Sequence, residues 1–224
     1  MFFELPHLRS ELYAIAAKVT VVTVAALLHS SADAWSRATA HPFLDAVRDG
    51  TLPWDRFDAW LVQDHHFVGD LLRFQARLLA RAPRSARAVL AAGTVGLIQE
   101  LEWFETIAGQ RGSDLEDARE PATMAYADLL THLDAAPVEE ALVGLWAIER
   151  AYLDSWSYAA PGAPAYRPFV THWTTAEFAA YVTGLEVAAD ASDGSRPASS
   201  EAVFAAVAQA ESNFWDMAWP GAQQ

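Results

Sequence analysis

Apolar side chains recur every three to four residues along almost the whole chain, and this periodicity constrains the fold most strongly. No stretch alternates apolar and polar residues in the manner of a half-buried strand. Proline and glycine punctuate the pattern: Pro53 begins one long segment, Ala82-Pro83 ends it, and Pro137 begins another. The sequence therefore predicts an all-α single domain of about seven to eight helices.

The same punctuation gives approximate helix bounds. Polar loops containing Gly or Pro fall at residues 109–121, 157–168 and 191–200. With the Pro and Gly positions above, these loops delimit the helices that we expect over residues 54–81, 85–108, 122–134, from 138 onwards, 175–189 and 199–218.

Charge and cysteine content exclude several classes of protein. The chain of 224 residues carries a net charge of −14 and no cluster of Lys or Arg, which argues against nucleic acid or an anionic membrane as a partner. There is no cysteine, so disulfides, thiolate metal sites and thiol nucleophiles are excluded. A small-molecule ligand, cationic or neutral, is more compatible with the net negative charge of the chain.

The N-terminal segment allows two interpretations. The apolar run VTVVTVAALL at residues 19–28 precedes Ala32-Asp33-Ala34, which resembles a weak signal-peptide cleavage site. The run is too short to span a bilayer, and cleavage there would cut into a segment whose helical period has already begun. We therefore expect a cytoplasmic protein, with an N-terminal helix or a misassigned start codon.

Several polar side chains fall on faces that should be buried. At helical spacing, Asp64, Glu149 and Glu211 each lie in an apolar row, and Tyr126 shares a face with leucines. Glu100 also falls in such a row, but the acids beside it are typical of a solvated surface. An ionised carboxylate in a dry core is costly unless it is paired or protonated. The pattern favours a polar cavity enclosed by helices, although a buried hydrogen bond could explain any one of these acids alone.

Aromatic residues offer platforms for a flat ligand. Phe67, Trp146 and Trp173 are the candidates for stacking against a heterocycle, with ordinary core packing as the alternative for each. No metal site is predicted, because neither the Glu-x-x-His nor the His-x-x-x-His spacing of a helical di-iron site occurs on an inward face. No organic cofactor is expected, since no Gly-rich phosphate loop joins a strand to a helix.

Four stretches together resemble the TenA/thiaminase II family, whose all-α fold is that of haem oxygenase. They are HPFLDAVRDGTLPWDRFDAWLVQDHHF (41–67), PATMAYADLL (121–130), ALVGLWAIERAY (141–152) and AESNFWDMAW (210–219). The resemblance covers residues 25–219 and implies a central pocket, an N-terminal extension at 1–24 and a tail at 220–224. It also implies a homodimer or homotetramer.

The resemblance implies hydrolysis of the exocyclic C–N bond of a 4-amino-5-(aminomethyl)-2-methylpyrimidine in thiamin salvage. Leu145 stands where the better-known branch has its cysteine nucleophile, so this chain is similar to the cysteine-less branch called TenA_E. The resemblance makes Glu149 a general base on water, or a nucleophile, and Glu211 the acid that handles the leaving group's proton. Asp64 would bind the aminopyrimidine beside Tyr126.

Two departures from the cysteine branch leave an alternative open. Phe67 and Trp173 stand where that branch has tyrosines, so polar contacts to the ring are lost while stacking is retained. A non-catalytic or regulatory protein that binds a pyrimidine, or another small ligand, would keep the same fold. A di-iron oxygenase of related fold is a third hypothesis.

Overall fold

The computed structural model describes residues 23–192 and 197–219, and every element in them is helical. The predicted extension therefore lies outside the described residues up to position 22, as does the whole of the predicted tail at 220–224. The ten helices of the described residues are α1 (Val24–Ser30), α2 (Ala32–Thr39), α3 (Pro42–Asp49), α4 (Trp54–Arg81), α5 (Arg84–Arg111), α6 (Pro121–Ala135), α7 (Val138–Ala159), α8 (Arg167–His172), α9 (Ala176–Ser192) and α10 (Pro197–Ala218).

The predicted all-α class is confirmed, but the predicted number of helices is too low. The long helices agree with the expected bounds within a few residues, whereas the segment before Asp49 divides into three short helices. The chain leaves helical geometry at Ser31 and again at Ala40. His41 then caps α3, because its Nδ1 accepts a hydrogen bond from the backbone N–H of Phe43 at 3.2 Å.

Two helices of 28 residues form the long hairpin of the fold. Pro83 separates α4 from α5, and an ion pair between Asp58 and Arg111 joins the far end of the hairpin. Gly112 ends α5 at φ 74°, a left-handed conformation that glycine adopts without strain. The hairpin provides one side of the molecule's interior.

The helix α7 is the central element. Every residue from 141 to 149 in it is buried, because α9 and α10 pack against it along with α4. Trp156 of α7 packs in the core with three further tryptophans, Trp60, Trp173 and Trp215. We call these four residues the tryptophan cluster. Within residues 23–192 and 197–219, no helix combines the length and the apolarity needed to cross a membrane.

Candidate active site

A cavity of about 440 Å³ opens between α5 and α9, with α4 and α7 forming its inner walls. This volume lies in the range of pockets that hold small organic ligands. Apolar and aromatic side chains make up most of the walls, and no Lys or Arg occurs among the described residues that line it. The polar groups on the walls include Glu149, Tyr152 and Tyr181.

Glu149 projects from the middle of α7 onto the cavity wall. Only 6% of it is exposed, and its Oε1 lies 3.4 Å from the hydroxyl oxygen of Tyr181 on α9. Burial, helped by the negative charge of Glu100, raises the pKa of Glu149 to about 8. Glu149 therefore keeps its proton to a higher pH than an exposed glutamate does.

Asp64 lies on α4 and is 1% exposed. Its Oδ2 accepts a hydrogen bond from the hydroxyl of Tyr152, which lines the cavity. Its Oδ1 is buried and has no hydrogen-bond partner among the described residues. Burial raises the pKa of Asp64 well above its usual value. Asp64 is not itself on the cavity wall and lies behind Tyr152. An unpaired buried oxygen is costly, so its Oδ1 is an acceptor that an N–H donor would stabilise.

Glu211 comes from α10 and is 3% exposed. Its Oε1 accepts a hydrogen bond of 2.5 Å from the hydroxyl of Tyr126 on α6. Burial raises the pKa of Glu211 to about 7. Neither residue is on the cavity wall; Tyr126 packs behind Phe67, with a ring centroid distance of 4.5 Å.

The three inward carboxyls share one arrangement, since each is paired with a tyrosine from another helix. The pairs are Asp64 with Tyr152, Glu149 with Tyr181, and Glu211 with Tyr126. Their charges also act on one another: those of Glu149 and Asp64 both contribute to the raised pKa of Tyr126, after burial and Glu211. Three helices thus bring the acids, and two more bring tyrosine partners, to one electrostatically coupled interior.

The three aromatic candidates have different positions. Phe67 and Trp173 line the cavity, and Trp173 stacks on Trp156 at a centroid distance of 4.4 Å. Trp146 is fully buried away from the cavity wall and stacks on Phe204. The expectation of a ligand platform at Trp146 is therefore corrected to core packing, because its side of α7 faces α10.

Glu100 is the weakest of the inward acids in the sequence pattern, and the structure places it on the cavity wall. Its side chain is only 18% exposed and lies on the cavity wall, where its Oε2 is 2.7 Å from Nε2 of His172. Its Oε1 accepts a hydrogen bond of 2.6 Å from the indole N–H of Trp173. Glu100 thus fixes one aromatic wall of the cavity, although the acids beside it along the sequence are those of a solvated surface.

Other residues of the site were not found from the sequence. Tyr181 and His172 lie on the cavity wall, and Gln75 is buried beside Tyr181. Leu145, at the position of the missing cysteine, is fully buried one helical turn before Glu149 and is not on the wall. Among the residues described, no group of three acidic or imidazole side chains is placed to hold a metal ion.

Comparison with known proteins gives the same family that the sequence motifs resemble. The chain is 29% identical over 200 residues to a probable bifunctional TENA-E protein from Glycine max, covering 82% of this chain and 87% of that protein. The crystal structure of a TenA homologue from Pyrococcus furiosus superposes with a TM-score of 0.81 at 28% identity, covering 86% of this chain and 98% of that one.

A second archaeal structure, a TenA homologue from P. horikoshii, superposes with a TM-score of 0.82 at 22% identity over 89% of this chain and 99% of that chain. The fold is therefore the TenA fold. A family model described as TENA/THI-4/PQQC matches residues 29–221, and the chain belongs to this family.

Proposed function

We propose that the protein is a hydrolase that cleaves the exocyclic C–N bond of a 4-amino-5-(aminomethyl)-2-methylpyrimidine, a thiamin degradation product, with a carboxyl group in place of a cysteine. The observation that carries the proposal is the position of Glu149, a buried carboxyl with a raised pKa on the wall of an aromatic cavity. Membership of the TENA/THI-4/PQQC family and the likeness to a TENA-E protein support it.

The walls suit a flat, donor-rich heterocycle. Phe67 and Trp173 offer ring faces for stacking. Directly behind the wall residue Tyr152, Asp64 has an acceptor at Oδ1 without a partner among the described residues, and the 4-amino group or a protonated ring nitrogen of a ligand that reaches it would satisfy this oxygen. When a ligand brings such a donor, the ionised form of Asp64 is stabilised, and electrons are drawn away from the ring toward the reacting methylene.

Glu149 supplies both proton transfers in this scheme. It first gives its proton to the nitrogen of the aminomethyl group, and the C–N bond then breaks to release ammonia. As a carboxylate it next accepts a proton from the water whose oxygen bonds to the methylene carbon, which yields the hydroxymethylpyrimidine and restores the acid. This order begins with Glu149 as an acid, whereas the family resemblance implied that Glu149 is a base or a nucleophile and that Glu211 is the acid.

Glu211 does not line the cavity, so we assign it an indirect effect. Its charge raises the pKa of Glu149, and its hydrogen bond holds Tyr126 behind Phe67. Glu211→Gln is expected to lower turnover about tenfold and to move the alkaline loss of activity to lower pH, as measured by a pH profile of kcat. A loss of about 10² to 10⁴ with an unchanged profile would instead mark direct proton transfer by Glu211.

Asp64→Asn tests the binding role. We expect it to weaken the affinity for the aminomethylpyrimidine by about tenfold to a hundredfold, because a charge-assisted hydrogen bond is lost. Titration calorimetry measures the affinity directly. Asp55→Asn, an exposed change in the first turn of the same helix, is the matched control. An unchanged affinity in Asp64→Asn would contradict the assignment.

The function itself is tested by incubating the purified protein with 4-amino-5-aminomethyl-2-methylpyrimidine. We expect release of ammonia in step with the hydroxymethyl product, both measured by NMR or chromatography. A ligand that raises the melting temperature without releasing ammonia would instead favour the alternative, a pyrimidine-binding protein of the same fold.

A further inference from the structure

Three side chains form a hydrogen-bonded chain that ends at the proposed catalytic acid. The hydroxyl oxygen of Tyr181 lies 3.2 Å from Oε1 of Gln75 and 3.4 Å from Oε1 of Glu149. Gln75 belongs to α4, Tyr181 to α9 and Glu149 to α7. We call these residues the Gln75–Tyr181–Glu149 chain.

The direction of hydrogen-bond donation in the Gln75–Tyr181–Glu149 chain is fixed at the Gln75 end. The amide nitrogen of Gln75 donates to the backbone carbonyl of Leu90 at 2.9 Å, and Gln75 is fully buried. Its Oε1 must therefore face Tyr181, and an amide oxygen can only accept. The hydroxyl of Tyr181 is the donor to Gln75 whenever that bond is made.

Tyr181 has one proton and two neighbouring acceptors. When Glu149 is protonated, it can donate to the oxygen of Tyr181, which donates to Gln75, so that both hydroxyl protons have an acceptor. When Glu149 is ionised, Tyr181 can satisfy either Gln75 or Glu149, and the other buried oxygen stays unpaired. The complete set of hydrogen bonds thus exists only with the proton on Glu149.

We propose that Gln75 and Tyr181 are positioning residues with opposite effects on Glu149: Gln75 competes for the hydroxyl of Tyr181 and so favours the protonated form of Glu149, whereas Tyr181 stabilises its carboxylate after proton transfer. In the first state the hydroxyl of Tyr181 is directed to Gln75. Once Glu149 has given up its proton, the hydroxyl rotates and donates to Glu149 instead. The inference deepens the proposed function and depends on it only for the catalytic use of this proton.

Gly93 shows how closely this chain is packed. A Cβ atom at position 93 would lie 2.3 Å from Nε2 of Gln75 and 2.3 Å from the hydroxyl of Tyr181. No real side chain tolerates such distances, so α5 leaves room for both residues only because position 93 is glycine. Gly109 on the same helix has no atom within 4 Å of its would-be Cβ, which makes it a matched control.

The negative charges of Glu100 and Glu211 raise the pKa of Glu149, and Tyr152, His172 and Glu177 also line the cavity with it. Neither Glu100 nor Glu211 contacts Gln75 or Tyr181 through the hydrogen bonds described above, so variants of the chain leave both carboxyls in place. A change in the titration of Glu149 in such a variant then measures the effect of Gln75 and Tyr181 on its carboxyl group.

Two variants should move the titration of Glu149 in opposite directions. Gln75→Met removes the competing acceptor at similar volume, so Tyr181 is free to donate to the carboxylate, and Glu149 should titrate about one pH unit lower. The carbonyl of Leu90 still accepts from the hydroxyl of Thr94 at 2.8 Å. Tyr181→Phe removes the donor to the carboxylate, and Glu149 should titrate higher, by about half a pH unit or more.

The measurement is a pH titration of the side-chain carboxyl by NMR, with ¹³C-labelled glutamate and the Glu149 signal assigned by its absence in Glu149→Gln. Gly93→Ala should displace both partners and shift the signal, whereas Gly109→Ala should leave it at the wild-type pH. Shifts in the same direction in Gln75→Met and Tyr181→Phe, or no shift in either, would overturn the proposal. Because the titration needs no turnover, an inactive protein with the expected shifts would refute the hydrolase function alone.

Discussion

Replacing Glu149 with glutamine is expected to lower the turnover of the aminomethylpyrimidine by about 10² to 10⁴ without unfolding the protein. Glutamine has nearly the same shape but can neither give a proton to the leaving nitrogen nor take one from water. The release of ammonia at saturating substrate, measured at pH 7, gives kcat directly.

Glu139→Gln is the control for this variant, because Glu139 is exposed in the first turn of the same helix. Its kcat should match that of the wild type. If Glu149→Gln kept more than about a tenth of the wild-type turnover, the role of Glu149 as the acid–base group would be refuted.

The same substitution should stabilise the protein in alkaline solution. The folded-state pKa of Glu149, about 8, lies above the ordinary value of 4.5. The folded protein therefore binds a proton that the unfolded chain has lost, and this stability is fully present below pH 4.5 and disappears as pH rises through 8. Over that window the wild type should lose of the order of 4 kcal/mol relative to Glu149→Gln.

Urea unfolding of both proteins between pH 5 and pH 9 measures this difference. The two curves of unfolding free energy should nearly meet at the acid end and diverge toward pH 8, with the variant above. Glu139→Gln should follow the wild type throughout. A constant offset between wild type and Glu149→Gln across the range would show that Glu149 does not hold its proton in the fold.

Periodicity predicted the fold well because the information lies within each helix. An apolar row with a three-to-four-residue spacing indicates a buried face, and the burial of Asp64, Glu149 and Glu211 follows from their places in such rows. The sequence did not predict the separate short helices before Asp49, because short breaks such as that at Ser31 leave the apolar period nearly intact.

The polar partners could not be predicted in the same way. Tyr181 meets Gln75 across 106 positions of sequence and Glu149 across 32, and no local pattern encodes such a meeting. Trp146 shows the converse limit, since its row is as apolar as that of Glu149 but faces Phe204 on α10 instead of the cavity. A helical row indicates that a side chain is buried, but only the packing of neighbouring helices determines which residues it contacts.

The tryptophan cluster gives the protein a built-in optical signal. Trp173 lines the cavity on one side and stacks on Trp156 on the other, and Trp156 in turn contacts Trp60 edge to face. Excitation absorbed anywhere in this cluster can migrate to the ring that a bound heterocycle would touch. Intrinsic emission should therefore be quenched or shifted as the cavity fills, so that occupancy can be followed in real time without a label.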